Sequence, residues 1–221
     1  MKKQFLLVAA ALITITSFSQ SEKYTKAMEQ LVAAVDTTYS VDGLTNMANS
    51  FQRIADAEKN QWLPYYYAAL SHANAGLMMG AANGMTGGMA DKTDPEADKA
   101  EQLLSKAEAL SKDNSEIWIV KKQIATLRMM ADPMNRYMTY GPAAAEALAT
   151  AKKINPENPR VYLLEGQDKF YTPEQFGGSK VEAQKLFAEA QKKFENFKPE
   201  SSIHPSWGMS QVKYFQSMAG K

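Results

Sequence analysis

The sequence predicts an all-α fold of stacked antiparallel helical hairpins, and three observations carry the prediction. The triplets Ala100-Leu104-Ala107, Ala144-Leu148-Ala151 and Ala183-Phe187-Ala190 recur along the chain. Small residues on either side of a bulky one let a neighbouring helix approach while the larger side chain fills the gap. Trp62, Trp118 and Tyr162 stand at an equivalent point of the helices that precede these triplets or lie between them. Apolar residues also return at spacings of three and four, the period of a helix with one buried face.

The elements follow in order. Tyr24 to Val35 carries Ala27, Met28, Leu31, Ala34 and Val35 on one face and predicts a first helix. Turn residues from Asp36 to Gly43 break the pattern, and Leu44, Met47, Phe51, Ile54 and Ala55 resume it in a second. Trp62 opens a third helix that reaches Met79, with Pro64 in its first turn, where an amide is not needed. Because consecutive helical residues are about 100° apart, at least one of Tyr65, Tyr66 and Tyr67 is expected at the surface. Segment 80–94 is rich in glycine, lacks an apolar period and reads as a flexible loop.

Asp94 as N-cap and Pro95 at the first helical position are expected to restart the helix. Asp113 with Glu116 reads as a capping box for the next, which Asp132-Pro133 ends. Gly141-Pro142, Asn158-Pro159 and Ser179 with Glu182 open three more, and a last helix around Trp207, Val212, Tyr214 and Phe215 closes the stack.

The first 20 residues have the parts of a secretory signal: Lys2 and Lys3, an apolar run from Phe5 to about Ile15, and small residues near Ser17 and Ser19. Residues 21–221 are then one helical domain, periplasmic or secreted. Loss of Lys2 and Lys3 takes Lys plus Arg from 25 to 23 against 24 acids, moving the formal charge from +1 to −1, which points to neither nucleic acid nor anionic lipid. No later segment approaches the roughly 20 apolar residues of a membrane span. The absence of cysteine excludes disulfides, thiol nucleophiles and a lipid-modified cysteine.

Side by side, the triplets and their aromatic partners resemble a divergent tetratricopeptide array, a TPR-like α-solenoid. The ideal period is about 34 residues, whereas Ala100 to Ala144 is 44 and Ala144 to Ala183 is 39, so each connection carries inserted residues. Longer phrases, Glu58 to Tyr67, Asn155 to Arg160, Tyr171 to Gly178 and Pro205 to Gly208, resemble an exported tetratricopeptide-like family of Bacteroidetes-type bacteria across nearly all of the mature chain. The part ending in Gly177-Gly178 is also similar to the T-component of TRAP transporters. These resemblances imply a protein that binds other proteins or holds a small ligand, and they bring no catalytic residue with them.

Catalysis has no visible centre. His72 and His204 lie far apart, without an acidic or histidine partner at ligand spacing, and no nucleophile elbow, zinc-protease, dinucleotide or phosphate-loop motif occurs. The chain therefore reads as a non-enzymatic binding or scaffolding protein with no cofactor, taking a protein or peptide partner. Aligning Trp62, Trp118 and Tyr162 brings Tyr67, Gln123 and Gln167 to one common position and matches Arg160 with Glu116. In a tetratricopeptide array these five residues line the inner groove, where a polar and aromatic surface suits a peptide or small organic ligand; the alternative is that they pack the repeat interface.

Methionine is the one unusual enrichment. Met78, Met79, Met85 and Met89 flank the glycine-rich segment, and Met129, Met130, Met134 and Met138 fill the next inserted connection. Thioethers at Met85, Met89, Met130 and Met134 suit Cu(I), while methionine also fills irregular gaps and supplies adaptable apolar contact around a binding groove. A small-ligand accessory of a transporter and a Cu(I)-binding protein are thus the alternatives to peptide recognition.

Overall fold

The computed structural model describes residues 22–84 and 87–219, in which all regular structure is helical. The expected signal segment lies outside the described residues. Nine α-helices run in order among those residues: α1 (22–35), α2 (Val41–Glu58), α3 (Trp62–Ala82), α4 (Ala90–Leu110), α5 (Ser115–Ala131), α6 (Pro133–Ile154), α7 (Pro159–Tyr171), α8 (Lys180–Asn196) and α9 (Met209–Ala219). A short 3-10 turn, Glu174–Phe176, separates α7 from α8. Helices pack in adjacent pairs, most extensively α2 on α3, α3 on α4, α5 on α6 and α7 on α8.

The repeated triplets do the packing expected of them. All nine residues are buried, and the aromatic points Trp62, Trp118 and Tyr162 are each half-buried. Glycine permits the closest approaches. A Cβ on Gly166 would come within 2.5 Å of the Phe187 ring on α8, and one on Gly76 within 2.5 Å of Leu127 on α5.

Several termini are legible as expected. Asn158 accepts from the Arg160 amide and Ser179 from Glu182, and Ser40, within the expected turn, accepts from Gly43 to cap α2. Others differ. The cap of α5 is Asn114, whose side chain accepts from the Glu116 amide, and Asp113 instead adopts φ 52° in the turn before it. The Glu116 carboxylate turns inward rather than back to the chain.

The two inserted connections are more helical than expected. α3 continues to Ala82 and α4 starts at Ala90, so the irregular stretch is 83–89, of which 85 and 86 lie outside the described residues. Asp94 and Pro95 stand inside α4, not at its start. The bond that the Pro95 nitrogen does not make would have gone to the carbonyl of Asp91, an exposed residue. Likewise α6 begins at Pro133 and runs through Gly141 and Pro142 without a break. The carbonyl that Pro142 leaves free is that of Met138, 81% exposed. Both interior prolines thus free the carbonyl of an exposed residue.

Helix α3 is the hub. It is packed by α2, α4 and α5, and the irregular segment 197–208 covers its N-terminal turns. Against the expectation that one would be displayed, Tyr65, Tyr66 and Tyr67 are all buried. A helix enclosed on every side buries residues all around its circumference.

Candidate functional site

Two places concentrate side chains that helix packing alone does not require. The first is an interior network where the N-terminal turns of α3, α5 and α7 meet segment 197–208. Arg160 is fully buried, and its Nη1 donates to Glu116 Oε1 at 3.0 Å. Tyr66 donates to Glu116 Oε2 at 2.9 Å, Asn158 to Glu116 Oε1 at 2.8 Å, and Trp207 Nε1 to the Tyr66 hydroxyl at 2.9 Å. The guanidinium lies 5.0 Å from the Trp207 ring centre, 5.1 Å from Phe197 and 5.5 Å from Phe194. Its Nε and Nη2 have no acceptor among the described residues. The rings supply what the missing acceptors do not, because a cation over an aromatic face is attracted by the ring quadrupole. Burial pushes the Tyr66 hydroxyl well above its ordinary range, and the nearby Glu116 carboxylate adds to the shift.

The covering segment is fixed at its middle and at its C-terminal end. Tyr67 donates to the Ile203 carbonyl at 3.1 Å, and Ser202 donates to Glu29 at 2.6 Å. The Asp36 carboxylate, at the end of α1, accepts from the backbone amides of Gly208 and Ser210 at 2.8 and 3.2 Å. It thereby caps α9 from the other end of the chain, an acid at a helix N-terminus. Gly208 has φ 118°, and a Cβ there would meet Phe194 at 2.6 Å, so the turn into α9 requires glycine.

The five residues expected to line a groove divide accordingly. Tyr67, Arg160 and Gln123 are buried, and the Glu116 side chain is only 12% exposed, so these four belong to the interior. Gln123 donates to Asn74 on α3 at 3.2 Å, while Gln167, half-buried, donates to Gln211 on α9 at 3.3 Å. Segment 197–208 covers the end of the face at which Tyr67, Glu116 and Arg160 meet. His72, which has no acidic neighbour in sequence, has one in space: its Nδ1 lies 2.6 Å from Glu96 Oε2 in the α3–α4 interface. Hydrogen bonding to His72 holds the Glu96 carboxyl below its ordinary range.

The second place is the methionine-rich end. Met134, Tyr137 and Met138 are 94%, 60% and 81% exposed, and their spacing of three and four puts them on one side of α6. Met129 and Met130, at the end of α5, are half-buried, and a Cβ on Gly141 would touch both Tyr137 and Met129. The irregular stretch reaches the same place, because Gly87 sits so close to Pro133 that a Cβ would lie 2.9 Å from its ring. Met89, at the start of α4, is half-buried, and Met85 lies outside the described residues. Of the four methionines named for Cu(I), three are therefore carried by segments that meet at one end of the molecule. No group of three or more His, Cys, Asp or Glu among the described residues could hold a metal ion.

Charge fixes this end. Asp94 on α4 accepts both terminal nitrogens of Arg136 on α6, at 2.7 and 2.8 Å, and one of Arg128 on α5 at 3.3 Å. Arg128 also reaches Glu101 and Asp98. Hydrogen bonding to Arg136 holds the Asp94 carboxyl below its ordinary range.

The fold is that of an all-α protein of adjacent helical pairs, and no described helix is long and apolar enough to cross a membrane. No protein-family model matches the chain, and a comparison with curated proteins finds no match. Among solved structures, the HusA haemophore from Porphyromonas gingivalis is 31% identical and superposes with a TM-score of 0.75, covering 89% of this chain and 92% of that one. The protein belongs to the family of that haemophore. Its relative comes from a Bacteroidetes bacterium, the group that the phrases around Trp62 and Pro205 suggested.

Proposed function

We propose that this is an exported, non-enzymatic binding protein that captures haem or a related flat apolar tetrapyrrole, and that the exposed side of α6 is where it does so. The observation that carries the reading is kinship: identity of 31% with a haemophore over 92% of that chain. The stripe of Met134, Tyr137 and Met138 supports it chemically. Large apolar side chains displayed together mark interaction sites. Thioethers make favourable contacts with aromatic systems and serve elsewhere as ligands of haem iron. The N-terminal signal read from the sequence supports export. The paired helices and buried triplets support the tetratricopeptide-like reading, with a membrane transporter or other protein as the partner that takes over the ligand. Peptide recognition along Tyr67, Gln123 and Gln167 is the weaker reading, since two of these three are buried.

The test is an absorbance titration of ferric haem with the purified protein. A saturable change in the Soret band is expected, and it should weaken when Met134 and Met138 are both changed to Gln. A spectrum that follows added haem linearly, as with an unrelated protein, contradicts the proposal.

A further inference from the structure

The described methionines of this end come from two separate pieces of chain, Met89 at the start of α4 and the α5–α6 junction. Asp94 lies five residues after Met89, and Arg136 lies two after Met134. The two oxygens of one carboxylate face the two terminal nitrogens of one guanidinium at 2.7 and 2.8 Å, the fork geometry that fixes orientation as well as distance. Arg128 joins the same carboxylate from α5, and its backbone carbonyl accepts from Arg136 at 3.4 Å. Three helices thus share one ionic knot at the base of the exposed stripe. Apart from it, no hydrogen bond or ion pair described for the first two turns of α6 reaches α4.

We propose that Arg136 is a positioning residue: by gripping Asp94 it holds the N-terminal half of α6 against α4 and joins the two methionine-bearing segments into a single capture site. This rests on the haem reading given above and adds the device that pre-forms the site. A ligand that touches both segments is held only while they keep a fixed separation, so a loosened knot weakens binding without unfolding the helices. Arg136 and Asp94 keep about a quarter of their side-chain surface exposed, 27% and 26%. Salt therefore reaches the pair and screens it.

The experiment compares the full protein with Arg136→Gln, Asp94→Asn and Arg136→Lys, using ferric haem as probe and following affinity, dissociation rate and thermal unfolding. Arg136→Gln and Asp94→Asn are each expected to weaken haem binding about tenfold, chiefly through faster dissociation, with the unfolding transition still cooperative. Arg136→Lys, which keeps the charge and loses the fork, is expected to fall between. Raising salt should speed dissociation from the parent protein more than from Arg136→Gln, a difference that general destabilisation does not produce. Parent-like affinity in both Arg136→Gln and Asp94→Asn overturns the proposal, as does an unchanged salt response. Failure of the parent itself to bind haem is a distinct result and overturns the haem reading instead.

Discussion

Tyr65 to Tyr67 on α3 and Met134 to Met138 on α6 are both short runs of large apolar side chains on helices, and they have opposite fates. The tyrosines are at most 6% exposed, whereas Met134 is 94% exposed. The tyrosines are consecutive, whereas Met134, Tyr137 and Met138 are interrupted by Asn135 and Arg136 and so share one side of their helix. What separates them is the number of neighbours: α3 has α2, α4, α5 and segment 197–208 around it, while the first half of α6 rests on α5 and is tied to α4 by Arg136. Where the chain closes over an apolar run it makes core, and where it leaves one uncovered it makes a surface that contributes little to stability and is free to bind.

The largest expected effect lies on the covered side. Changing Arg160 to Ala strands Glu116 without its ion partner and opens space beneath Trp207, so unfolding in denaturant should show a loss of roughly 3–5 kcal/mol. If the loss is below about 1 kcal/mol, the network is ornamental and the contrast between the two regions fails. Tyr66→Phe removes one hydrogen bond to Glu116 and the acceptor of Trp207, and should cost about 1–3 kcal/mol by the same measurement. Gly166→Ala forces a methyl into the Phe187 ring, and a similar loss, about 1–3 kcal/mol, is expected from overpacking.

Smaller effects belong to the uncovered side. Met134→Gln with Met138→Gln should leave stability within about 0.5 kcal/mol, so that any loss of haem affinity reports binding rather than folding. The pH dependence sharpens the comparison further. Asp94 has its folded pKa lowered, first by Arg136, so its contribution to stability is present above the ordinary carboxylate range and is lost as pH falls through the depressed value. Thermal unfolding followed from neutral to acid pH should therefore decline less steeply in Asp94→Asn than in the parent; parallel curves would show that the knot holds nothing.

Much of the architecture was legible in the residues because it is local. The caps at Asn158 and Ser179 depend on side chains two or three positions from the amides they accept, and the alanine triplets encode their own packing face. The site was legible only in part. Aligning the aromatic points placed Arg160 and Glu116 at equivalent positions, yet their pairing across 44 residues of chain depends on how α5 and α7 stack. The inward turn of segment 197–208 onto α3 has no local signature, and neither has the His72–Glu96 contact. Pro95 and Pro142 read as helix starts because that is their commonest use; they are interior here, and the residues whose carbonyls they leave without an amide, Asp91 and Met138, are both exposed. The methionines are conspicuous in the sequence, but that Met89 and the methionines of the α5–α6 junction share one end of the molecule follows from tertiary packing alone.

The claim on which the rest depends is that the uncovered side of α6 receives the ligand while the closed interior stays closed. Methyl NMR of the methionines during addition of ferric haem tests it directly. The paramagnetic iron should broaden Met134, Met138 and Met129, which lies against Gly141 with Tyr137, leaving the buried Met28 and Met47 unaffected. Broadening centred on Met28 and Met47, with Met134 and Met138 unchanged, would contradict it.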